Sequence, residues 1–136
     1  MIAIDTNVLL RYLLADDTRQ HRLAVSVIQS GTPVLLTDVV LTEAIWTLAG
    51  KRYSLGKSEL CKVIRALVGD LSFTFEDSQL IWAALNDYEN AKPVRGKTLD
   101  FADALILNKA KQSGCKDFVR VTVPTVGLPK LLWSRW

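Results

Sequence analysis

The chain opens with Met1–Leu13, MIAIDTNVLLRYL, and this stretch decides the fold class. Met1 to Ile4 form a short apolar run with two isoleucines, which suits a strand buried inside a parallel sheet. The run stops at Asp5. Thr6 or Asn7 can cap a helix that follows at once. Val8, Leu9, Tyr12 and Leu13 then share one face of that helix. Asp5 therefore stands at the carboxyl end of a strand, where open α/β sheets gather their ligands.

The same alternation continues outward. Asp16, Asp17 and Thr18 offer a second helix start, with Leu23, Ala24, Val27 and Ile28 as its apolar stripe and Gly31 as its stop. PVLLT at 33–37 reads as a second buried strand. A helix beginning at Asp38 or Thr42 follows, carrying Val40, Glu43, Ala44, Thr47 and Leu48. Lys57 to Val68 is predicted as an amphipathic helix ended by Gly69, and SFTF at 72–75 as a short strand. Glu76 to Ala91 is predicted helical, with Leu80, Ile81, Ala84, Leu85 and Tyr88 in phase. A loop at 92–98 leads to a helix over 99–113, closed by Gly114. A last strand covers 118–123, and an irregular tail containing Pro124 and Pro129 ends in LLWSRW. Strands alternating with helices predict one α/β domain, 1–136, with a parallel sheet.

Length and composition agree with a single globular domain. The chain has 136 residues, 49% of them apolar and 23% charged. A chain of this length buries enough surface to fold without disulfide or metal staples. Cys61 and Cys115 match no metal or redox spacing. With no signal peptide and no apolar run approaching a membrane span, they point to a cytoplasmic protein. The net charge of +3 is unevenly spread. Residues 1–90 hold 8 basic and 11 acidic side chains, whereas 91–136 hold 9 basic and 3 acidic. The basic third permits a polyanionic partner, although a solvated surface explains it as well.

Four acids stand in apolar company. Asp5 ends MIAI, Glu43 lies between VVLT and AIW, and Asp100 and Asp103 bracket Phe101 and Ala102 ahead of ALIL. A buried, unpaired carboxylate costs several kcal/mol, so such groups are paired, protonated or given a cation. Each acid also has a bland reading: Asp5 as a cap, Glu43 as an exposed helix residue, Asp100 and Asp103 as acids favoured at a helix N-terminus. Taken together, they suggest an oxygen-only site for Mg²⁺ or Mn²⁺. Such a cation equips a site to hydrolyse a phosphodiester. His21, the one histidine, lies in the polar stretch TRQHR and is expected to be structural. Arg11, Lys51, Arg52, Arg95 and Lys97 are candidates for phosphate contact. Trp46, Trp82, Trp133 and Trp136 sit beside aliphatics and are expected in the core or an interface.

MIAIDTNVLLRYL, LTEAIW, LDFADALI and the SGC turn before the last strand occur in this order. Together they resemble the PIN-domain family, and within it the VapC-type toxins of bacterial toxin–antitoxin pairs. The resemblance implies a three-layer α/β/α sandwich with a parallel sheet of four or five strands. It implies an endoribonuclease dependent on Mg²⁺ or Mn²⁺, acting as the toxin of a type II pair. Asp5, Glu43 and Asp103 carry over as catalytic, metal-binding acids, with Asp100 as a further ligand or base. Thr6 and Asn7 match the polar pair that orients the first aspartate or a bound water. The implied partners are an RNA substrate, a cognate antitoxin and a second copy of the chain. One departure stands out. The position where many members place a fourth aspartate falls on Thr122, a weaker, uncharged ligand, so at most one cation is expected, with Asp100 compensating in part. That departure motivates a second reading, a catalytically weakened domain that binds antitoxin or RNA. A third reading, another Mg²⁺-dependent phosphoryl hydrolase, lacks the Asp-x-Asp motif after the first strand.

Overall fold

The computed structural model describes residues 1–93, 98–122 and 130–135; for 119–122 and 130–135 it is described at the level of the backbone. Three short strands, β1 (Ile2–Ala3), β2 (Val34–Leu36) and β3 (Phe73–Phe75), form a parallel sheet in that order. Ile2 lies opposite Val34, while Val34 and Leu36 lie opposite Phe73 and Phe75. Among the described residues six helices accompany it: α1 (Thr6–Leu14), α2 (Thr18–Ile28), α3 (Asp38–Ala49), α4 (Lys57–Gly69), α5 (Ser78–Asn90) and α6 (Phe101–Gln112). Every element expected from the sequence is present, with ends shifted by up to two residues.

The sheet departs from expectation. Among the described residues it has three parallel strands, not four or five, a number that still agrees with a layered α/β domain. The last predicted strand, β4 (Asp117–Thr122), pairs antiparallel with β5 (Lys130–Arg135) as a separate two-stranded sheet. The tail expected to be irregular therefore contains a strand. Chain length explains the hand of this pairing. A short connection joins antiparallel neighbours, whereas parallel strands need a crossover of about a dozen residues or more.

Side chains explain why the helices start where they do. Asp5, Asp17, Thr37, Asp77 and Asp100 each stand just before a helix and accept a backbone N–H from its first turn. Gly31 and Gly114 adopt φ of +88° and +87°, a conformation that suits glycine after a helix. Ala15 closes α1 in the same left-handed region, at φ 48°, and bears a Cβ penalty there. The core gathers Leu9, Val34, Leu36, Leu41, Ile64, Ile81 and Phe101, all essentially inaccessible. Each such side chain contributes roughly 1.5–3 kcal/mol through burial. Edge-to-face ring contacts tie Tyr12 to Phe73 and Tyr88 to Phe101.

Candidate active site

The parallel register brings the strand ends level. Continuing it past β1, β2 and β3 sets Asp5 beside Thr37 and Thr37 beside Glu76. Each strand passes into a helix through a capping side chain: Asp5 Oδ1 accepts the Val8 N–H at 2.9 Å, Thr37 Oγ1 that of Val40 at 3.3 Å, and Asp77 Oδ1 that of Leu80 at 3.1 Å. Three helix N-termini thus open on one edge of the sheet, and their dipoles favour carboxylates there.

Glu43 lies in the second turn of α3 and is exposed. Its Oε2 accepts the Thr6 hydroxyl at 2.6 Å. This bond crosses 37 residues and ties the start of α1, next to Asp5, to the acid of α3. At the start of α6, Asp100 Oδ1 accepts the Asp103 backbone N–H at 2.7 Å. The two acids that share a helix face are therefore linked through a backbone donor. Asp5, Glu43 and Asp100 are exposed and Asp103 is half-buried. Of the alternatives that the sequence left open, burial does not hold for Asp5, Glu43 and Asp100. The neighbours Ile4, Ala44, Ile45, Phe101 and Ala104 turn into the core, while Asp5, Glu43 and Asp100 turn outward.

The acids come together as two pairings, Thr6–Glu43 beside Asp5 and Asp100–Asp103. Among the described residues, no three His, Cys, Asp or Glu side chains are grouped closely enough to hold a metal ion. Thr122 ends β4 opposite Lys130, and its side chain lies outside the described residues. Arg95, Lys97 and Trp136 also lie outside them, and Trp133 is described only as part of the β5 backbone. Asn7 is exposed at the first turn of α1. His21 Nδ1 lies 3.0 Å from the Arg11 carbonyl oxygen, a structural contact between α1 and α2. Arg11 pairs with Asp16 at 3.0 Å. Trp46 is 76% exposed, so it is not a core residue; it sits one turn beyond Glu43 on the water-facing side of α3.

Among the described residues, the buried acid is one that neighbouring sequence does not reveal. Asp38, 9% exposed, begins α3 two residues past β2. Its Oδ2 accepts from Lys109 Nζ of α6, and Glu76 Oε2 accepts the Asp38 backbone N–H at 2.7 Å. Asp77 Oδ2 accepts from Gln112 Nε2 at 2.8 Å. These bonds fasten the last turns of α6 to the ends of β2 and β3. The hydrogen bond to Asp38 raises the Lys109 pKa, and the Gln112 bond helps to lower that of Asp77. The only local hint of this arrangement is that PVLLTD repeats the pattern of MIAID, with an acid just past a strand.

The model of the PIN domain matches residues 2–123, nearly the whole chain. The chain belongs to the PIN-domain family. PIN domains are typically metal-dependent nucleases and generally use Mg²⁺ or Mn²⁺, so nuclease activity is the class that this membership indicates. No curated protein and no solved structure matches the chain. The donor chemistry of this PIN domain suits a hard cation. Asp5, Glu43 and Asp100 each use one oxygen in the hydrogen bonds above and have a second to offer. Carboxylate oxygen is the donor type that Mg²⁺ and Mn²⁺ take.

Proposed function

We propose that this PIN domain is a Mg²⁺- or Mn²⁺-dependent endoribonuclease and the toxin of a type II toxin–antitoxin pair, working in the cytoplasm. The observation that carries the reading is the hydrogen bond from Thr6, the neighbour of the strand-end acid Asp5, to Glu43, the acid of α3. Asp5, Glu43 and Asp103 are the residues that would hold the cation, with Asp100 as a further ligand or base. When bound, the cation supplies Lewis-acid chemistry at a phosphodiester. The chain's own contribution is positional. The α1 cap fixes the Asp5 carboxylate, and Thr6 restricts Glu43 to one side of α3. The exposed edge leaves room for a strand of RNA, which the basic carboxyl-terminal third would help to retain.

The decisive experiment uses purified protein freed of any antitoxin, an RNA pool, and titrations of Mg²⁺ and Mn²⁺. Wild type should cleave, and Asp5→Asn should not. Absence of cleavage by wild type in both metals would sink the reading. A second reading, a weakened domain that binds antitoxin or RNA without turnover, is motivated by Thr122. Gain of cleavage in Thr122→Asp over an inert wild type would favour it. Copurification of a small antitoxin and a dimeric mass in solution are expected if the partner assignments hold.

A further inference from the structure

Lys57, Lys62 and Arg65 fall on one face of α4 and line a cavity of about 430 Å³, together with Ser58, Cys61 and, from α5, Glu89. Residues 1–90 hold 8 basic side chains against 11 acidic, so three of the eight on one cavity form a positive spot inside an acidic stretch. Among the described residues of that lining Glu89 is the one acid, and it pairs with Arg65. A guanidinium has several N–H donors, so that pairing leaves others to offer. Lys57 is held in place: its Nζ donates to the Ala91 carbonyl at 3.1 Å and stands 5.2 Å from the centre of the Tyr88 ring. Lys62 is exposed and makes no hydrogen bond or ion pair with another described residue. The Cys61 thiol is buried at the base of the cavity. Burial and the Glu89 charge raise its pKa, while Lys57 and Arg65 lower it, so charges from both helices converge on this spot. No side chain caps the first turn of α4, and the dipole of that end adds to the positive field.

The cavity borders the start of α6. Tyr88, beneath Lys57, meets Phe101 edge to face with ring centres 6.2 Å apart, and Asp100 immediately precedes Phe101. Burial, and then the charges of Cys61 and Asp100, raise the Tyr88 pKa. Two ring contacts thus separate the α4 cations from the acids of α6. Ammonium and guanidinium groups make charge-assisted hydrogen bonds to phosphate oxygens.

We infer that the cavity between α4 and α5 is a phosphate subsite that holds the backbone of an RNA strand beside the start of α6. The inference rests on the proposed nuclease reading, because that reading makes RNA the occupant. Continuity favours RNA over an acidic peptide. A strand cut at Asp100 and Asp103 carries a further phosphate at every nucleotide, so the same molecule presents charge to both places. The cations also offset the repulsion that the candidate carboxylates exert on such a strand.

The test is the salt dependence of RNA binding by the full chain freed of any antitoxin. Fluorescence anisotropy is read in EDTA, so that cleavage does not interfere. Each phosphate neutralised on a single strand contributes about 0.7 to the slope of log K against log salt. Lys62→Gln and Arg65→Gln should each lower the slope by about that amount and weaken binding about fivefold near about 0.1 M salt. The loss should be equal for oligo(A) and oligo(U), which share one backbone. Arg22→Gln, the same loss of charge on α2, should leave the slope as it is. Thermal melting of each variant confirms folding. With Mg²⁺ or Mn²⁺ present, Lys62→Gln and Arg65→Gln should raise the KM for cleavage. A wild type that binds no RNA, or a slope unchanged in both cavity variants, would overturn the subsite. An equal loss in Arg22→Gln would overturn it in favour of a diffuse field. Stabilisation by inorganic phosphate that Lys62→Gln abolishes, with RNA binding intact, would replace it with a free-phosphate site. Polyglutamate binding lost in Lys62→Gln, again with RNA binding intact, would replace it with a site for an acidic peptide. The expected slopes without cleavage in either metal would count against the nuclease reading alone. Cleavage with the same KM in wild type and both variants would count against the subsite alone.

Discussion

Asp5 and Asp38 occupy nearly matching places, each just past a parallel strand and at the start of a helix, yet their surroundings are opposite. Asp38 is buried, receives Lys109, and belongs to a set of bonds that includes Glu76. Asp5 is exposed, caps α1 with one oxygen, and lines an open groove. The first arrangement satisfies its charge inside the protein and serves the fold. The second leaves charge facing solvent, where a ligand can use it. Position on the sheet edge thus does not separate a functional acid from a structural one; the partner does.

The comparison breaks most sharply at Asp5. Asparagine is as good a helix cap as aspartate, so Asp5→Asn removes the charge and keeps the cap. Cleavage should fall at least about 100-fold, on the scale of losing one strong electrostatic group. Melting should stay within about 0.5 kcal/mol of wild type, as for ordinary surface changes. Asp5→Ala loses the same activity and about 1 kcal/mol of stability with the cap. Denaturant melts set beside an RNA cleavage assay separate these effects.

At Asp38 the order reverses. Lys109→Met strands a buried carboxylate and should cost about 1–3 kcal/mol in urea unfolding, the range for a polar group left unsatisfied. An unchanged midpoint would show that the pair is only a surface contact. Thr6→Val should have a smaller effect on stability, about 0.5–1.5 kcal/mol for a lost hydrogen bond. It should also lower cleavage by freeing Glu43.

The smallest effects lie in pH. The Lys109 pKa is raised in the fold, so its stabilisation is complete below the unfolded value near 10.4 and is lost as pH rises through the folded value. The Asp77 pKa is lowered, so its contribution is present above about 3.9 and is lost as pH falls through the folded value. Melting curves should show each limb shrink, the alkaline one in Lys109→Met and the acid one in Gln112→Ala.

What the residues disclosed in sequence follows the same division. Helix starts were broadly legible because their cause is local: Asp17 stood out as a start and caps α2, whereas Thr37 read as the end of a strand and Asp77 as already helical, and both prove to be caps. Exposure of the acids was one of two open readings, since only the fold decides that α3 turns Glu43 outward while Ala44 and Ile45 turn inward. Asp38 was passed over because its partner is 71 residues away. The antiparallel pairing of β5 was missed because prolines at 124 and 129 read as the end of regular structure. The Thr6–Glu43 contact also depends on tertiary packing, although both residues stood out as candidates.

The Asp38–Lys109 link also has a kinetic consequence. A contact that closes so long a stretch of chain pays its loop entropy before it is rewarded, and such contacts tend to form after the local ones. Removing it should then leave the refolding rate near wild type and place most of the lost stability in faster unfolding. Stopped-flow refolding and unfolding of Lys109→Met would show one limb moved and the other still. The clasp that holds α6 to the strand ends would then govern how long the native state lasts, with little influence on how soon it is reached.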